Sequence, residues 1–205
     1  MLFEQLKSYL PDFPTEEIKR GQIVYNQGDN PERLFFVVNG LIGLFHISEN
    51  GKETLLRIFN QNSLFGHRSY FADTPYHATA IALTKTVVGS ISKAYLDKII
   101  DEHPLFQKNI TKNLAHDRGD AELRLAGLVD KTVTKRVIET LIYLKLRYNE
   151  KTWTRKEIAE FSGSTFETVA RVMSKLDDLS LINKSGRDFE IPNPDKLIEY
   201  SEMEV

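Results

Sequence analysis

Apolar and polar positions alternate in short runs over the first half of the chain and recur at helical spacing over the second. From Gly21 to about Ser92, β-branched and aromatic runs at 23–25, 34–38, 41–47, 54–59, 78–83 and 87–91 are separated by turn formers. Such runs predict strands. The connections Gly28-Asp29-Asn30-Pro31, Asn39-Gly40, Glu49-Asn50-Gly51 and Asp73-Thr74-Pro75 supply the positive or fixed φ that tight turns require. Regular spacing of short strands favours a jelly roll or barrel over a parallel sheet.

The period changes after Ser92. Residues 93–100 predict a short helix, and from about 104 to 130 apolar residues recur at Ile110, Leu114, Ala121, Leu125 and Leu128, one stripe on a long helix. About 25 residues at 1.5 Å each would extend ~38 Å, more than a small domain needs to cover its own sheet. The stripe is therefore expected to meet the same helix of a second copy, giving a parallel homodimer. A helix broken near Gly119 and packed into its own core is the alternative. A further periodic segment, Val133, Val137, Leu141 and Leu144, begins after Asp130. The expected class is α+β: a jelly roll over 1–103, a dimerisation helix over 104–130 and a winged helix-turn-helix over 131–205.

The last of these rests on residues 154–182, TRKEIAEFSGSTFETVARVMSKLDDLSLI. Ile158, Ala159 and Phe161 line a first helix, Gly163 sits at a sharp turn, and Val169, Val172, Met173 and Leu176 line a second helix. The face left over carries Thr165, Phe166, Glu167, Thr168 and Arg171, and is suited to a major groove. Leu181-Ile182, Ser185-Gly186 and residues 189–191 predict strand, turn and strand, a wing. Arg171 offers two parallel hydrogen bonds to guanine O6 and N7, and Glu167 an acceptor for cytosine N4. Thr165, Thr168, Lys175 and Lys184 suit phosphate, which sets register rather than sequence. Against these stand two plainer roles: Glu167 as the capping-box partner of Ser164, and Arg171 in a surface ion pair.

Charge sharpens this picture. The total is −2, yet residues 131–187 hold twelve Lys and Arg against seven Asp and Glu, a net +5. A basic segment coinciding with a helix-turn-helix pattern points to nucleic acid rather than to a merely solvated face. With 41% hydrophobic and 27% charged residues the chain is expected to be soluble and globular. It has no Cys, which excludes disulfides, thiolate zinc fingers and cysteine-held iron–sulfur clusters. Neither a leader nor a run of 18 apolar residues is visible, so a cytoplasmic protein without a membrane partner is expected.

These residues resemble the CRP/FNR family of bacterial transcription regulators over nearly the whole chain. GQIVYNQGDNPERLFFVVNGLIGLF, ENGKETLLRIF and LFGHRSYFADTPYHATAIAL are similar to the family's cyclic-nucleotide-binding jelly roll, and TRKEIAEFSGSTFETVARVMSKL to its winged helix. The resemblance implies a homodimer, an effector pocket in the roll, RNA polymerase as a partner, and an inverted-repeat operator in double-stranded DNA read by the second helix. It places Glu167 and Arg171 on base-contacting positions, together with Phe166, which stands where cAMP-receptor-like members carry Arg. It also implies that residues 148–153, shorter than the corresponding connection in those members, are a poor match for its polymerase-contacting loop.

The pocket departs further from the pattern. Nucleotide-responsive members carry Gly-Glu, a short helix, then Arg and a small hydroxyl residue; here Gly66 is followed by His67, Arg68 and Ser69, and the Arg and hydroxyl positions are His77 and Ala78. Losing two charge-assisted hydrogen bonds costs about 10²–10⁴ in affinity. Gly119-Asp120-Ala121-Glu122 likewise lacks the hydroxyl pair expected near a purine. The expectation is thus a regulator that does not respond to cAMP, holds neither metal nor cofactor, is not an enzyme and needs no effector. The alternatives are haem on His46, His67, His77, His103 or His116, an anionic ligand or pH switch at His67 and His77, and a cupin-like metal enzyme, disfavoured by the lack of any His-x-His pair.

Overall fold

A computed structural model of the chain describes residues 2–10 and 13–203. The chain divides into two compact units, Met1–Asp120 and Ala121–Val205.

The first unit begins with α1 (Leu2–Tyr9), followed by β1 (Thr15–Ile18), β2 (Ile23–Tyr25), β3 (Arg33–Asn39), β4 (Ile42–Ile47), β5 (Glu53–Phe59) and β6 (Leu64–Phe65). Then come α2 (His67–Ala72), β7 (Thr79–Ala82), β8 (Thr86–Ser92), α3 (Lys93–Glu102) and α4 (Pro104–Asp130), whose last turns belong to the second unit. Two antiparallel sheets, ordered β1-β8-β3-β6 and β2-β7-β4-β5, form a jelly roll. Alternation along β3 sets both of its cores. Phe35 and Val37 pack between the sheets with Tyr25, Phe59, Phe65 and Tyr76, whereas Leu34 and Phe36 face α1, α3 and α4 through Leu6, Leu96, Ile99, Phe106 and Ile110.

All six runs read from the sequence are strands. β1 and β6 lay outside them: the first, TEEI, is an edge strand with one buried residue, and the second is two residues long. Helix α4 runs unbroken through Gly119 for 27 residues, about 40 Å. Its stripe divides, however. Ile110, expected at a dimer seam, is 1% exposed inside its own chain's core, and Leu114 is partly buried against the same cluster. Ala121, Leu125 and Leu128 are exposed, beside Leu123 and Val129.

The second unit comprises the end of α4, then α5 (Val133–Arg147), α6 (Arg155–Ser162), α7 (Phe166–Asp178), β9 (Asn183–Ser185), β10 (Asp188–Glu190) and α8 (Pro194–Met203). Val137, Ile138, Leu141 and Leu144 of α5, Ile158 of α6, and Val169, Val172, Met173 and Leu176 of α7 are buried, with Trp153, Phe189 and Leu197. The wing differs from its expected register. Ser180 takes φ 54°, its N–H bonds the Asp177 carbonyl at 2.8 Å and the Leu181 N–H bonds the Leu176 carbonyl at 2.9 Å. That pair of bonds is a Schellman cap, so Leu181 and Ile182 finish α7 instead of starting a strand. Ser185 pairs with Asp188, leaving Gly186 and Arg187 as the turn.

Candidate nucleic-acid interface

Helix α7 starts at Thr165, not Ser164. The Thr165 hydroxyl accepts from the Thr168 N–H at 3.2 Å and donates to the Thr168 hydroxyl at 3.1 Å. Because the N-cap lies one residue further on, Glu167 is not the capping-box partner of Ser164, whose buried hydroxyl makes no hydrogen bond. Glu167 and Arg171 stand one helical turn apart, exposed, on the face opposite Val169, Val172, Met173 and Leu176. An i, i+4 Glu and Arg commonly pair. Here neither side chain has an ion pair or hydrogen bond among the described residues, so the surface-ion-pair alternative for Arg171 is not realised.

The frame beneath this face is heavily bonded. Thr154 and Glu157 make a reciprocal capping box on α6. Buried Lys151 donates to both Glu157 oxygens at 2.8 Å and lies 4.1 Å over the Trp153 ring, whose Nε1 donates to the Tyr148 carbonyl at 3.3 Å. At the turn Gly163 takes φ 64°, and a Cβ there would lie 2.9 Å from Leu128. Arg136 of α5 supports the same corner, donating to the carbonyls of Ser162 at 3.2 Å and Gly163 at 3.4 Å. Cations at a helix C-terminus satisfy carbonyls left without an intrahelical partner. Sequence reasoning missed Arg136 and Lys151, although Thr154-x-x-Glu157 was visible as a capping signature.

The expected phosphate contacts are distributed unevenly. Thr165 and Thr168 spend their hydroxyl protons or lone pairs on the cap. Lys175 is exposed, with its ammonium 5.5 Å from the Tyr200 ring centre. Lys184 is engaged within its own chain: its ammonium sits 3.3 Å from the Asp177 carboxylate and 3.3 Å from the Ser174 hydroxyl, while its backbone N–H bonds Asp177 at 2.9 Å. Its charge ties the wing to α7. Two exposed cations that sequence reasoning passed over, Arg155 at the start of α6 and Arg187 at the wing turn, have no side-chain ion pair or hydrogen bond among the described residues.

In the roll, Gly66 takes φ 81° and opens α2. The Ser69 hydroxyl donates to the Pro75 carbonyl at 3.1 Å, Arg68 is exposed, and Ala78 is fully buried in the core between the sheets. Aromatic rings fill that interior: Tyr25 stacks on Tyr76 at 3.7 Å, Phe35 on Phe65 at 5.3 Å and Phe59 on Phe65 at 5.5 Å. Burial, then the charges of Arg68 and His46, pull the His77 imidazole from 6.5 down to about 4. Arg57 of β5, which the sequence did not single out, pairs with Asp117 of α4 and lies 3.8 Å from Asp120. His67 is buried with Nε2 3.4 Å from the Asp117 carboxylate, too poorly aligned for a hydrogen bond. Burial works to raise the Asp117 carboxyl; contact with His67 and the Arg57 charge outweigh it and hold it below the usual carboxylate range. Among the described residues no three His, Asp or Glu are grouped to hold a metal ion, and no helix is long and apolar enough to cross a membrane.

Residues 15–103 match the family model of the cyclic nucleotide-binding domain, and residues 135–200 that of the Crp-like helix-turn-helix domain. The CRP-like cAMP-activated global transcriptional regulator of Mycobacterium tuberculosis is 25% identical over 195 residues, covering 91% of this chain and 85% of the relative. The global nitrogen regulator of Synechococcus elongatus is 25% identical over 206 residues, covering 94% and 92%. The solved structure of FixK2 from Bradyrhizobium japonicum shares the fold, with a TM-score of 0.81 at 21% identity over 92% of this chain and 96% of that one. Both modules occur in family order along the chain, and the chain belongs to the CRP/FNR family of DNA-binding transcription regulators.

Proposed function

We propose that the chain works as a homodimer that binds an inverted-repeat operator without a small effector and acts on transcription through RNA polymerase. The observation carrying this is the pair Glu167 and Arg171: charged, exposed and with no side-chain partner among the described residues. Arg171 would read guanine and Glu167 cytosine, with Arg155, Lys175 and Arg187 on phosphates and Thr165 and Thr168 fixing the start of α7. The exposed half of the α4 stripe, Ala121, Leu125 and Leu128, with Leu123 and Val129, supports pairing of two chains along that helix. Two recognition helices related by a two-fold axis contact half-sites about 34 Å apart. Effector independence is supported by the ring-filled roll and by Arg57, whose charge Asp117 already answers. Site selection from random duplexes, with purified protein and no added ligand, tests these points together. An inverted repeat bound by two chains is expected; enrichment only after a nucleotide is added would reject effector independence.

A second reading keeps an anionic effector, favoured by the convergence of Arg68, His46 and His77 near the segment that follows Gly66. A ligand at 100 times its Kd would add about 2.7 kcal/mol to stability. Melting temperatures that stay constant with phosphate and with cyclic mono- and dinucleotides would remove it.

A further inference from the structure

The recognition face consists of two unlike rows. Glu167, Arg171 and Lys175 follow one another at intervals of four residues along one row, all charged and exposed. One position earlier, exposed Phe166 and half-buried Ala170 begin a parallel row that carries no hydrogen-bonding side chain before Ser174. Residues four apart lie one above the other on a helix, and adjacent rows stand about 100° apart around its axis. Phe166 is 50% exposed, and no ring or cation from its own chain covers it among the described residues. A single exposed apolar side chain is unremarkable on a protein surface. This one sits in the first turn of the helix, next to two charged residues whose partners are missing.

An apolar row pressed against base edges discriminates in both directions. The only apolar group on the major-groove edge of an unmodified base pair is the C5 methyl of thymine. A cytosine amine or guanine carbonyl placed against the same row would lose its water and gain no partner, which is unfavourable. We infer that Phe166 and Ala170 form a thymine-methyl-reading strip, so that each half-site carries a thymine beside the pairs read by Glu167 and Arg171. The inference rests on the DNA-reading role proposed above and adds a base identity to it. It also assigns Phe166 a different readout from hydrogen bonding: the side chain recognises a methyl group by contact and by exclusion of polar edges.

The experiment replaces thymine by uracil, which removes only the methyl and keeps base pairing. In the selected operator each thymine is exchanged in turn, symmetrically in both half-sites, and binding is measured for the parent and for Phe166→Ala. At one position the exchange is expected to weaken the parent about fourfold per half-site, some fifteenfold for the pair, as one buried methyl contributes. The variant should bind thymine and uracil operators alike, with the parent's melting temperature, since the ring it loses is exposed. Parent affinity unchanged at every exchange, or a uracil penalty that persists in Phe166→Ala, would overturn the strip while leaving the inverted-repeat reading intact. A protein that selects no duplex would remove that reading, and the strip with it. Phe166→Leu, which keeps an apolar contact, should retain most of the thymine preference.

Discussion

The roll and the recognition face treat their charged and polar groups in opposite ways. Around α2 and β5 the chain answers itself: Arg57 meets Asp117, Ser69 meets the Pro75 carbonyl, and rings from both sheets occupy the interior. On α7 the side chains of Glu167 and Arg171 have no partner among the described residues, while the scaffold beneath them is tightly bonded. A buried charge needs a partner at once, whereas an exposed one keeps water until a ligand displaces it. Substitutions should therefore separate the two regions. Changes in the roll cost folding stability, and changes on the face cost selectivity alone.

Arg171→Ala should give the largest effect, about 1–3 kcal/mol per half-site and twice that for a symmetric operator. Fluorescence anisotropy with operator and scrambled duplexes checks it; equal loss on both, or a lowered melting temperature, would break the contrast. Asp117→Ala should come next, destabilising the roll by about 1.5–3 kcal/mol as Arg57 loses its counter-charge. Urea unfolding measures this, and an unchanged midpoint would mean that Arg57 is not held by Asp117 in solution.

Two smaller effects sharpen the comparison. With His77 lowered to about 4 in the folded chain against an ordinary 6.5, the unfolded chain binds the extra proton between those values. Stability from this group is complete above about pH 6.5 and declines as pH falls toward 4. The melting temperature of His77→Gln should fall less than the parent's over that interval. Lys184→Met should cost least, about 0.2–1 kcal/mol, because its pair with Asp177 is at the surface. It should also leave the salt dependence of binding nearly unchanged, whereas Arg155→Ala and Arg187→Ala should each reduce the slope by about one.

Much of this arrangement was legible in the sequence, for identifiable reasons. Six strands announced themselves by alternation, and α7 by apolar residues at helical spacing. β1 and β6 did not, since TEEI and a two-residue bridge become strands only by pairing with β8 and β3. The α4 stripe was visible but not its partners: Ile110 and Leu125 obey the same spacing, and only the fold covers the first with α1 and α3. Glu167 hinged on a single residue, because a cap at Ser164 would have occupied it and a cap at Thr165 frees it. Arg57 and Asp117 lie 60 positions apart with no motif linking them, and charge pairs of that kind emerge only once the chain is folded.

The Arg57–Asp117 pair also bears on how such a regulator would be governed. On the proposed effector-independent reading, with the cation answered from within, no metabolite concentration would enter the binding equilibrium and operator occupancy would follow the number of copies in the cell. With two chains at each operator, as proposed, a dimer that dissociates at cellular levels would make occupancy rise more steeply than in proportion to synthesis. The input would then be the rates at which the protein is made and destroyed.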